Sequence, residues 1–517
     1  MAAIARGSVV AVIGSGAMGS GIAQVAAAAG HQVKLFDTRA EAVSKAIADI
    51  GAVFDKLAEK GKMSAADADS ARARLHGVNG LAQVADAALV VEAIVENLDV
   101  KRSLFADLEG IVADDAILAT NTSSISVTAI AAKLRRPQRL VGMHFFNPVP
   151  LMALVEVISG VATDAAAAQA VYDTAAAWGK NPVHAKSTPG FIVNRVARPF
   201  YAEGWRLLNE QAADAATIDA VLREAGGFRM GPFELMDLIG HDVNFSVTQS
   251  VFNAYYNDPR FTPSVLQQEM VNAGFLGRKS GRGLYQYGAD AAKPEPKTEA
   301  LREKPEYVGY SLEAGANGAL TQGMVDRLKQ HGIAVTNRKS AEGHQHAEAP
   351  AFHCNGAAIY LTDGRTATRR AADNKHPDTI VYDLVFDAAA SPRIAIAAAD
   401  QCSQRAIDAT IGMFQAAGFA VTRLDDVPGL AVMRTVAMLA NEAADAVQQG
   451  VCSAAAADIA MQKGVNYPRG PLAWADTVGV KHIVTVLENL AQAYGEDRYR
   501  VSPLLRRKQA SGAKIHA

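Results

Sequence analysis

Residues 8–37 read SVVAVIGSGAMGSGIAQVAAAAGHQVKLFD. Ser8 to Ile13 is a short β-branched run and predicts a buried parallel strand. It runs into Gly14-Ser15-Gly16-Ala17-Met18-Gly19, a G-x-G-x-x-G. Gly19 to Ala29 has helical composition and closes on Gly30, and His31 to Phe36 predicts a second strand that stops at Asp37. The glycines permit a tight turn and a close approach of backbone to a pyrophosphate, and the helix start offers its free N–H groups to the phosphate charge. Asp37 stands where a carboxylate bonds both ribose hydroxyls. A lone glycine motif says little. Strand, glycines, helix, strand and terminal carboxylate in this order specify a dinucleotide-binding α/β unit. Asp37 should repel a 2′-phosphate, so NAD is expected over NADP; Arg39 argues the other way.

Around this unit lies a chain of 517 residues, long enough for three or four domains. Half the residues are hydrophobic, a fifth are charged and the net charge is −2, the composition of an ordinary soluble enzyme. No basic patch points to nucleic acid, and no apolar run has membrane-spanning length. The chain starts directly into a strand, so no leader is expected. Cys354, Cys402 and Cys452 form no CxxC and fit a reducing cytoplasm.

Working outward, Thr38 to about Leu75 is longer than a plain crossover and predicts a helical excursion broken near Lys60-Gly61-Lys62. Its lysines read as solvated helix-end charges or as contacts to the phosphates of a large anionic substrate. Leu89 to Glu92 and Ile117 to Thr120 predict further strands, leading into Ala93–Asn97 and Asn121-Thr122-Ser123-Ser124. Val141 to Pro148, VGMHFFNP, reads as a strand running into a turn, because Pro148 and Pro150 forbid a helix there. Leu151 to Ile158 follows with one charge, Glu156. Neighbouring strands would set His144 beside Glu156, and a carboxylate beside an imidazole fixes its tautomer and stabilises the imidazolium, as a general base needs. On these two residues alone, an unrelated core histidine and edge glutamate is the better reading. The surrounding pattern reverses that: Asp37, Glu96, Ser123 and His144 all fall just after strands, where open α/β sheets bind ligands.

The motifs GSGAMGSGIA, VVEAIVEN, NTSSIS, HFFNPVPLMALVEVI, TPGFIVNR (188–195) and MGPFELMDLIG (230–240) occur in the order found in the L-3-hydroxyacyl-CoA dehydrogenases, and residues 8 to 288 resemble that family. The resemblance implies a Rossmann domain followed by an all-α domain of the 6-phosphogluconate-dehydrogenase-like type. It also implies NAD-dependent conversion of a 3-hydroxyacyl-CoA to a 3-ketoacyl-CoA. His144 is then the catalytic base and Glu156 its partner, with Ser123 and Asn194 at the reacting part of the substrate. Cofactor contacts are expected from Gly14, Gly16, Ala17, Met18, Gly19, Asp37, Glu96, Lys101, Asn121, Ser123 and Asn147. Lys60 is a candidate for the CoA phosphates. Arg229 is a candidate for a substrate carboxylate, or a surface arginine on a turn. Rival readings are a β-hydroxyacid dehydrogenase with a small substrate, a 3-hydroxybutyryl-CoA dehydrogenase of fatty-acid or butanoate metabolism, and a non-catalytic NAD-binding protein.

The second half echoes the first. Pro189-Gly190 recurs as Pro428-Gly429 and Gly231-Pro232 as Gly470-Pro471, each 239 residues later. Glu203 and Glu442, Asp219 and Asp458, and Gly240 and Gly479 keep that offset, which marks an internal duplication. The repeat lacks the chemistry: His144 maps to Asp383, Glu156 to Ala395 and Asn194 to Met433, and no glycine motif precedes them. The expected domains are a Rossmann domain (1–186), a helical domain (187–288), a Pro-containing linker (289–311), a reduced Rossmann-like domain without NAD (312–426) and a second helical domain (427–517). The helical domains of the family pair across a dimer interface, so the two copies here are expected to pair as an intramolecular pseudo-dimer, with a homodimer the alternative. The arrangement resembles the long members of phenylacetate catabolism that act on 3-hydroxyadipyl-CoA. His344, His346, His353 and Cys354 lack regular ligand spacing and read as solvated loop residues, so no metal site is expected.

Overall fold

The β-branched runs form strands and the alanine-rich stretches between them form helices in the computed structural model, which describes residues 2–289, 291–312, 318–338 and 349–516. Two units emerge from the contacts: Met1–Arg195 with Gln449–Val465, and Val196–Gln448 with Asn466–Ala517.

The first unit is built on strands β1 (Val9–Ile13), β2 (Gln32–Phe36), β3 (Leu75–Gly77), β4 (Leu89–Glu92), β5 (Ile117–Thr120), β6 (Leu140–Phe145), β7 (Leu154–Ser159) and β8 (Asn181–Lys186). Their order in the sheet is β3-β2-β1-β4-β5-β6-β7-β8. All neighbours are parallel except β6 and β7. Strand order reverses between β1 and β4, the place where such sheets open a ligand crevice, and the glycine loop leaves β1 there. Val10, Val12, Leu89 and Val91 are fully buried in the core. The excursion forms the helices Ala40–Glu59 and Ala65–Ala73, broken where the lysines and Gly61 predict it. A segment of the second repeat completes this unit: the helix Ala454–Gly464 packs on β7 and β8. The Lys186 N–H donates to the Val451 carbonyl at 2.9 Å. A Cβ on Gly464 would stand 2.6 Å from Leu154, so this glycine lets the helix lie close.

In the second unit, β9 (Tyr307–Tyr310), β10 (Ala334–Asn337), β11 (Phe352–Cys354), β12 (Ala357–Leu361), β13 (Thr379–Tyr382), β14 (Arg393–Ala398) and β15 (Ala420–Arg423) form a sheet ordered β10-β9-β11-β12-β13-β14-β15. From β12 onward it repeats the back half of the first sheet, including the one antiparallel pair, β13 with β14. Its front half holds one strand–helix–strand piece and the antiparallel β11. Two expectations need correction. β9 lies wholly inside the stretch read as linker. His353 and Cys354 are not loop residues: they form β11, and Cys354 is buried, which pushes its thiol up to about 11. His344 and His346 lie outside the described residues. Among the described residues no group of three or more His, Cys, Asp or Glu side chains could hold a metal, and no helix is long and apolar enough to cross a membrane.

The duplication extends to backbone conformation. Gly190 and Gly429 have φ of 73° and 75°, and Gly240 and Gly479 have 101° and 99°. Phe191 and Leu430, the next residues after the paired glycines, share the left-handed region at 46° and 52°, which non-glycine residues rarely enter. In this unit the equivalent helices Arg198–Asn209 and Val432–Gln448 pack on each other. At their contact the buried Arg434 is held by Glu203 at 2.5 Å and Glu210 at 2.9 Å.

Candidate active site

β6 and β7 run antiparallel with His144 directly opposite Glu156. His144 Nδ1 donates to Glu156 Oε2 at 2.7 Å, and the carboxylate is fully buried. Its other oxygen, Oε1, accepts from the Ile192 and Val193 N–H groups at 3.0 and 2.9 Å. One carboxylate therefore fixes the imidazole and docks the short helix Val193–Val196, which carries Asn194. With Nδ1 committed as donor, Nε2 is left as the basic nitrogen, and no described residue bonds it. The rings of Phe146 and Phe191 lie 4.5 and 5.9 Å from the imidazole and wall it from water.

The second repeat keeps half of this arrangement. Asp383, at the position of His144, accepts from the Ala431, Val432 and Met433 N–H groups at 2.9, 2.7 and 2.9 Å. Ala431 and Val432 are the equivalents of Ile192 and Val193. The carboxylate has moved to the neighbouring strand and still docks the same helix start, without an imidazole.

Ser123 follows β5 in a turn organised by Glu96. Glu96 Oε1 accepts from the Ser123 N–H at 3.0 Å, the Ser124 N–H at 3.1 Å and the Thr122 hydroxyl at 2.6 Å. Burial raises the Glu96 pKa, but the Thr122 hydroxyl and the Lys101 charge outweigh it and hold the carboxyl below its ordinary value. Lys101 stands behind Glu96: its ammonium is 1% exposed and clasped by Glu92 at 2.6 Å and Glu96 at 3.2 Å. Glu92, which also accepts from the Thr120 hydroxyl and the Ile94 N–H, is a site residue that sequence reasoning missed. The available signal was a lone acid ending an apolar strand nine residues before a lysine. Asn121 accepts from the Phe145 N–H at 2.8 Å and ties the end of β5 to the end of β6. Asn194 Nδ2 makes a long contact, 3.5 Å, to the Ser123 carbonyl, bringing these two expected substrate residues together. Asn147 is exposed just beyond β6.

The glycine loop fits a dinucleotide. Gly14 has φ 106°, and a Cβ there would strike the Ala93 carbonyl; one on Gly19 would strike the Gly14 carbonyl. Those two glycines are required by the fold. A Cβ on Gly16 would meet nothing within 4 Å, so the space beside it is not used by the chain and is left for a ligand. Gly16 and Ala17 are exposed and Met18 half-buried at the start of the helix Ala17–Ala28, which has no acid in its first turn and no side-chain cap. Its N–H groups and the macrodipole face a phosphate without competition. Asp37 Oδ2 accepts from the Ser15 N–H and hydroxyl, both at 2.9 Å. Burial raises the Asp37 pKa, but the Ser15 and Arg39 N–H donors outweigh it and keep the group ionised. Lys60 is exposed at the end of the helix Ala40–Glu59, and Arg229 is exposed on a turn of the second unit, so each remains a surface cation.

Residues 9–188 match the profile of the 3-hydroxyacyl-CoA dehydrogenase NAD-binding domain. Residues 190–287 and again 429–514 match that of the 3-hydroxyacyl-CoA dehydrogenase C-terminal domain. Residues 359–428 match a 3-hydroxybutyryl-CoA dehydrogenase reduced Rossmann-fold domain. The 3-hydroxyadipyl-CoA dehydrogenase of Escherichia coli K12 is 44% identical over 499 residues, 96% of this chain and 97% of the relative. A crystal structure described as 3-hydroxybutyryl-CoA dehydrogenase from E. coli K12 superposes with a TM-score of 0.88 at 43% identity, covering 98% of this chain and all of the other. The (S)-3-hydroxybutyryl-CoA dehydrogenase of Ralstonia eutropha covers 54% of this chain and 99% of its own, at 40% identity and a TM-score of 0.53.

Proposed function

The chain belongs to the 3-hydroxyacyl-CoA dehydrogenase family, and we propose from this that it oxidises the 3-hydroxyl of an L-3-hydroxyacyl-CoA to the ketone with NAD, and catalyses the reverse reduction, through His144. The observation that carries the assignment is the buried 2.7 Å bond from His144 Nδ1 to Glu156, which leaves Nε2 to take the hydroxyl proton. NAD, when bound, accepts the hydride released from C3. Glu156 stabilises the imidazolium that forms, and the fixed tautomer means that no ring rotation precedes proton transfer. The Ser123 hydroxyl bonds the reacting oxygen, and the Asn194 amide holds the thioester carbonyl. General-base catalysis by such a pair contributes about 10²–10⁴-fold. Asp37 bonds the adenosine ribose, Gly16 admits the pyrophosphate, and Lys60 meets a CoA phosphate. His144→Gln should abolish turnover and leave NADH affinity nearly unchanged in a titration followed by fluorescence. Turnover like that of the unaltered enzyme would refute the role.

For the acyl group we favour the dicarboxylic 3-hydroxyadipyl-CoA, because the relative of that name aligns along almost the whole chain. The near-full-length crystal structure carries the name of the four-carbon substrate instead, so the two thioesters need direct comparison. The expected result is a higher kcat/KM for 3-hydroxyadipyl-CoA. Arg229→Ala should then raise KM for that substrate and spare 3-hydroxybutyryl-CoA; an equal effect on both would remove Arg229 from the site.

The two repeats pair within one chain as two subunits would. Bonds related by the repeat offset support this. Lys186 N–H to Val451 carbonyl (2.9 Å) corresponds to Asp425 N–H to Ala212 carbonyl (3.0 Å). Arg195 to Gln449 (2.9 Å) corresponds to Arg434 to Glu210 (2.9 Å). The enzyme should be fully active as a single chain in light scattering coupled to gel filtration. Activity confined to a dimeric fraction would contradict this.

A further inference from the structure

A cavity of about 390 Å³ opens in the helical part of the second unit. It lies beside the helix Arg198–Asn209 and is closed by the 260–267 turn and by residues 494–498. Four arginines line it: Arg198, Arg206, Arg260 and Arg498. Three of them belong to closed charge sets. Arg206 and Arg498 join Arg434 against Glu203, Glu210 and Glu496, with ion pairs of 2.7 Å (Arg206–Glu496), 3.5 Å (Arg498–Glu496), 2.5 Å (Arg434–Glu203) and 2.9 Å (Arg434–Glu210). Arg260 joins Arg500 against Glu442 and Asp445, at 3.0 Å (Arg260–Glu442), 2.6 Å (Arg260–Asp445) and 3.0 Å (Arg500–Asp445). In both sets the positive and negative groups are equal in number.

Arg198 belongs to neither. It is only 5% exposed, and its guanidinium has no carboxylate partner among the described residues. Nη1 donates to the Thr248 hydroxyl at 2.9 Å, and that hydroxyl donates onward to the Asn244 carbonyl at 3.0 Å. Nε is buried without a hydrogen bond. The plane stacks 4.8 Å from the Tyr201 ring. Burial holds the Tyr201 and Tyr467 hydroxyls above their ordinary pKa, so neither phenol supplies a negative charge. A guanidinium cannot shed its proton at any working pH, and a buried charge without a counter-charge is among the costliest features a fold can carry. Its counter-charge must therefore come from outside the chain.

The rest of the wall says what kind of anion. Trp205 and Phe261 line the cavity, and Val265 and Leu266, exposed by 73% and 38%, give it an apolar lip. One unpaired positive charge with aromatic and aliphatic walls suits one negative charge on an apolar body. The volume is in the range of small-molecule sites, about 300–1,000 Å³. We propose that this cavity is a binding site for a free monocarboxylic acid with an apolar chain, its carboxylate paired with Arg198. The equivalent place in the second repeat cannot form such a site, because Ala437, Ala440 and Ala444 stand where Arg198, Tyr201 and Trp205 stand in the first.

Calorimetric titration of the full-length enzyme with hexanoate tests the site, with inorganic phosphate as the anion lacking an apolar body. Hexanoate should bind one per chain, and phosphate at least about tenfold more weakly. Arg198→Met should weaken hexanoate binding by at least about tenfold, the loss expected when a bidentate ion pair is removed. Arg507→Met, which removes an exposed charge elsewhere, should change nothing. If Arg198→Met does not fold, Thr248→Val, which releases the guanidinium from its anchor, should still weaken hexanoate several-fold. Absence of hexanoate binding, equal binding to the Arg198→Met and unaltered enzymes, or phosphate binding as tight as hexanoate would each overturn the proposal.

Discussion

Replacing Glu156 by glutamine separates the two tasks of this side chain. Its Oε1 accepts from the Ile192 and Val193 N–H groups, while Oε2 accepts from His144. An amide can keep its oxygen on the two N–H donors. Its nitrogen then faces His144 Nδ1, which must become an acceptor, and the ring proton moves to Nε2, the atom that has to take the substrate proton. Loss of the negative charge also withdraws support from the imidazolium. Both effects remove the general-base contribution, about 10²–10⁴-fold in kcat, or roughly 3–5 kcal/mol in the barrier. The helix start stays docked, so the denaturation midpoint should barely move. Glu156→Ala instead strips the acceptor from two buried N–H groups and should cost roughly 1–3 kcal/mol for each, in addition to activity. The assay is steady-state NADH oxidation with a 3-ketoacyl-CoA beside urea unfolding of both variants. Glutamine-substituted enzyme with kcat within a few-fold of normal would refute the tautomer argument. Equal destabilisation by both substitutions would refute the division of labour between the two oxygens.

Four further outcomes are expected. NADH should be preferred over NADPH by at least about tenfold in kcat/KM because Asp37 repels a 2′-phosphate; since its donors hold the carboxyl below its ordinary pKa, NADH affinity should stay flat down to about pH 5, and comparable use of NADPH would show that Arg39 overrides it. Calorimetry should count one NAD per chain, as the sequence of the second repeat holds no G-x-G-x-x-G, and a count of two would contradict this. Burial pushes Asp383 up to about 6 from the ordinary 3.8 against the Val432, Met433 and Ala431 N–H donors that pull it down. The folded state thus holds the proton more tightly, and the stability this contributes is full below about pH 4 and lost as pH rises through about 6. Unfolding free energies should therefore fall by about 2 kcal/mol from pH 4 to 7 relative to Asp383→Asn, and parallel pH profiles would refute it. Gln449→Ala should lower kcat by about tenfold by loosening Arg195 beside Asn194, small displacements being costly in catalysis, whereas Gln449→Glu, which copies the Arg434–Glu210 pair, should restore it at an unchanged melting temperature; equal losses in the two variants would make the residue merely structural.

Much of this is legible in the sequence. The glycine loop and Asp37 depend on local conformation within one strand–helix–strand unit, and such patterns survive in the sequence. The side-by-side placement of His144 and Glu156 was also legible, since Pro148 and Pro150 forbid a helix between their strands. The offset of 239 residues exposed the duplication and the loss of His144 and Asn194 in the second copy. The pairing of Lys101 with Glu92 was not legible, because a buried ion pair looks, in sequence, like two ordinary surface charges. β11 escaped notice because a three-residue strand is too short to show a period of two. That Asp383 assumes the docking task of Glu156 could not be read either, because the carboxylate changes strand and alignment reports only a lost histidine. The attachment of Gln449–Val465 to the first sheet is a contact across more than half the chain, and no local signal announces it.

That attachment also sets a clock. The first unit lacks its last piece until residue 465 has left the ribosome, 270 residues after Arg195. At about 5–20 residues per second the interval is roughly 14–54 s. Throughout it the helix Ala454–Gly464 is missing from β7 and β8, and the Arg195–Gln449 bond is unmade. The nucleotide loop can be complete early, and Glu156 can dock the turn bearing Asn194, but the Arg195–Gln449 bond beside that turn forms only near the end of synthesis. A nascent chain stalled before residue 449 should therefore bind NADH and remain unable to turn over, with the face of β7 and β8 open to chaperones or to a second nascent chain.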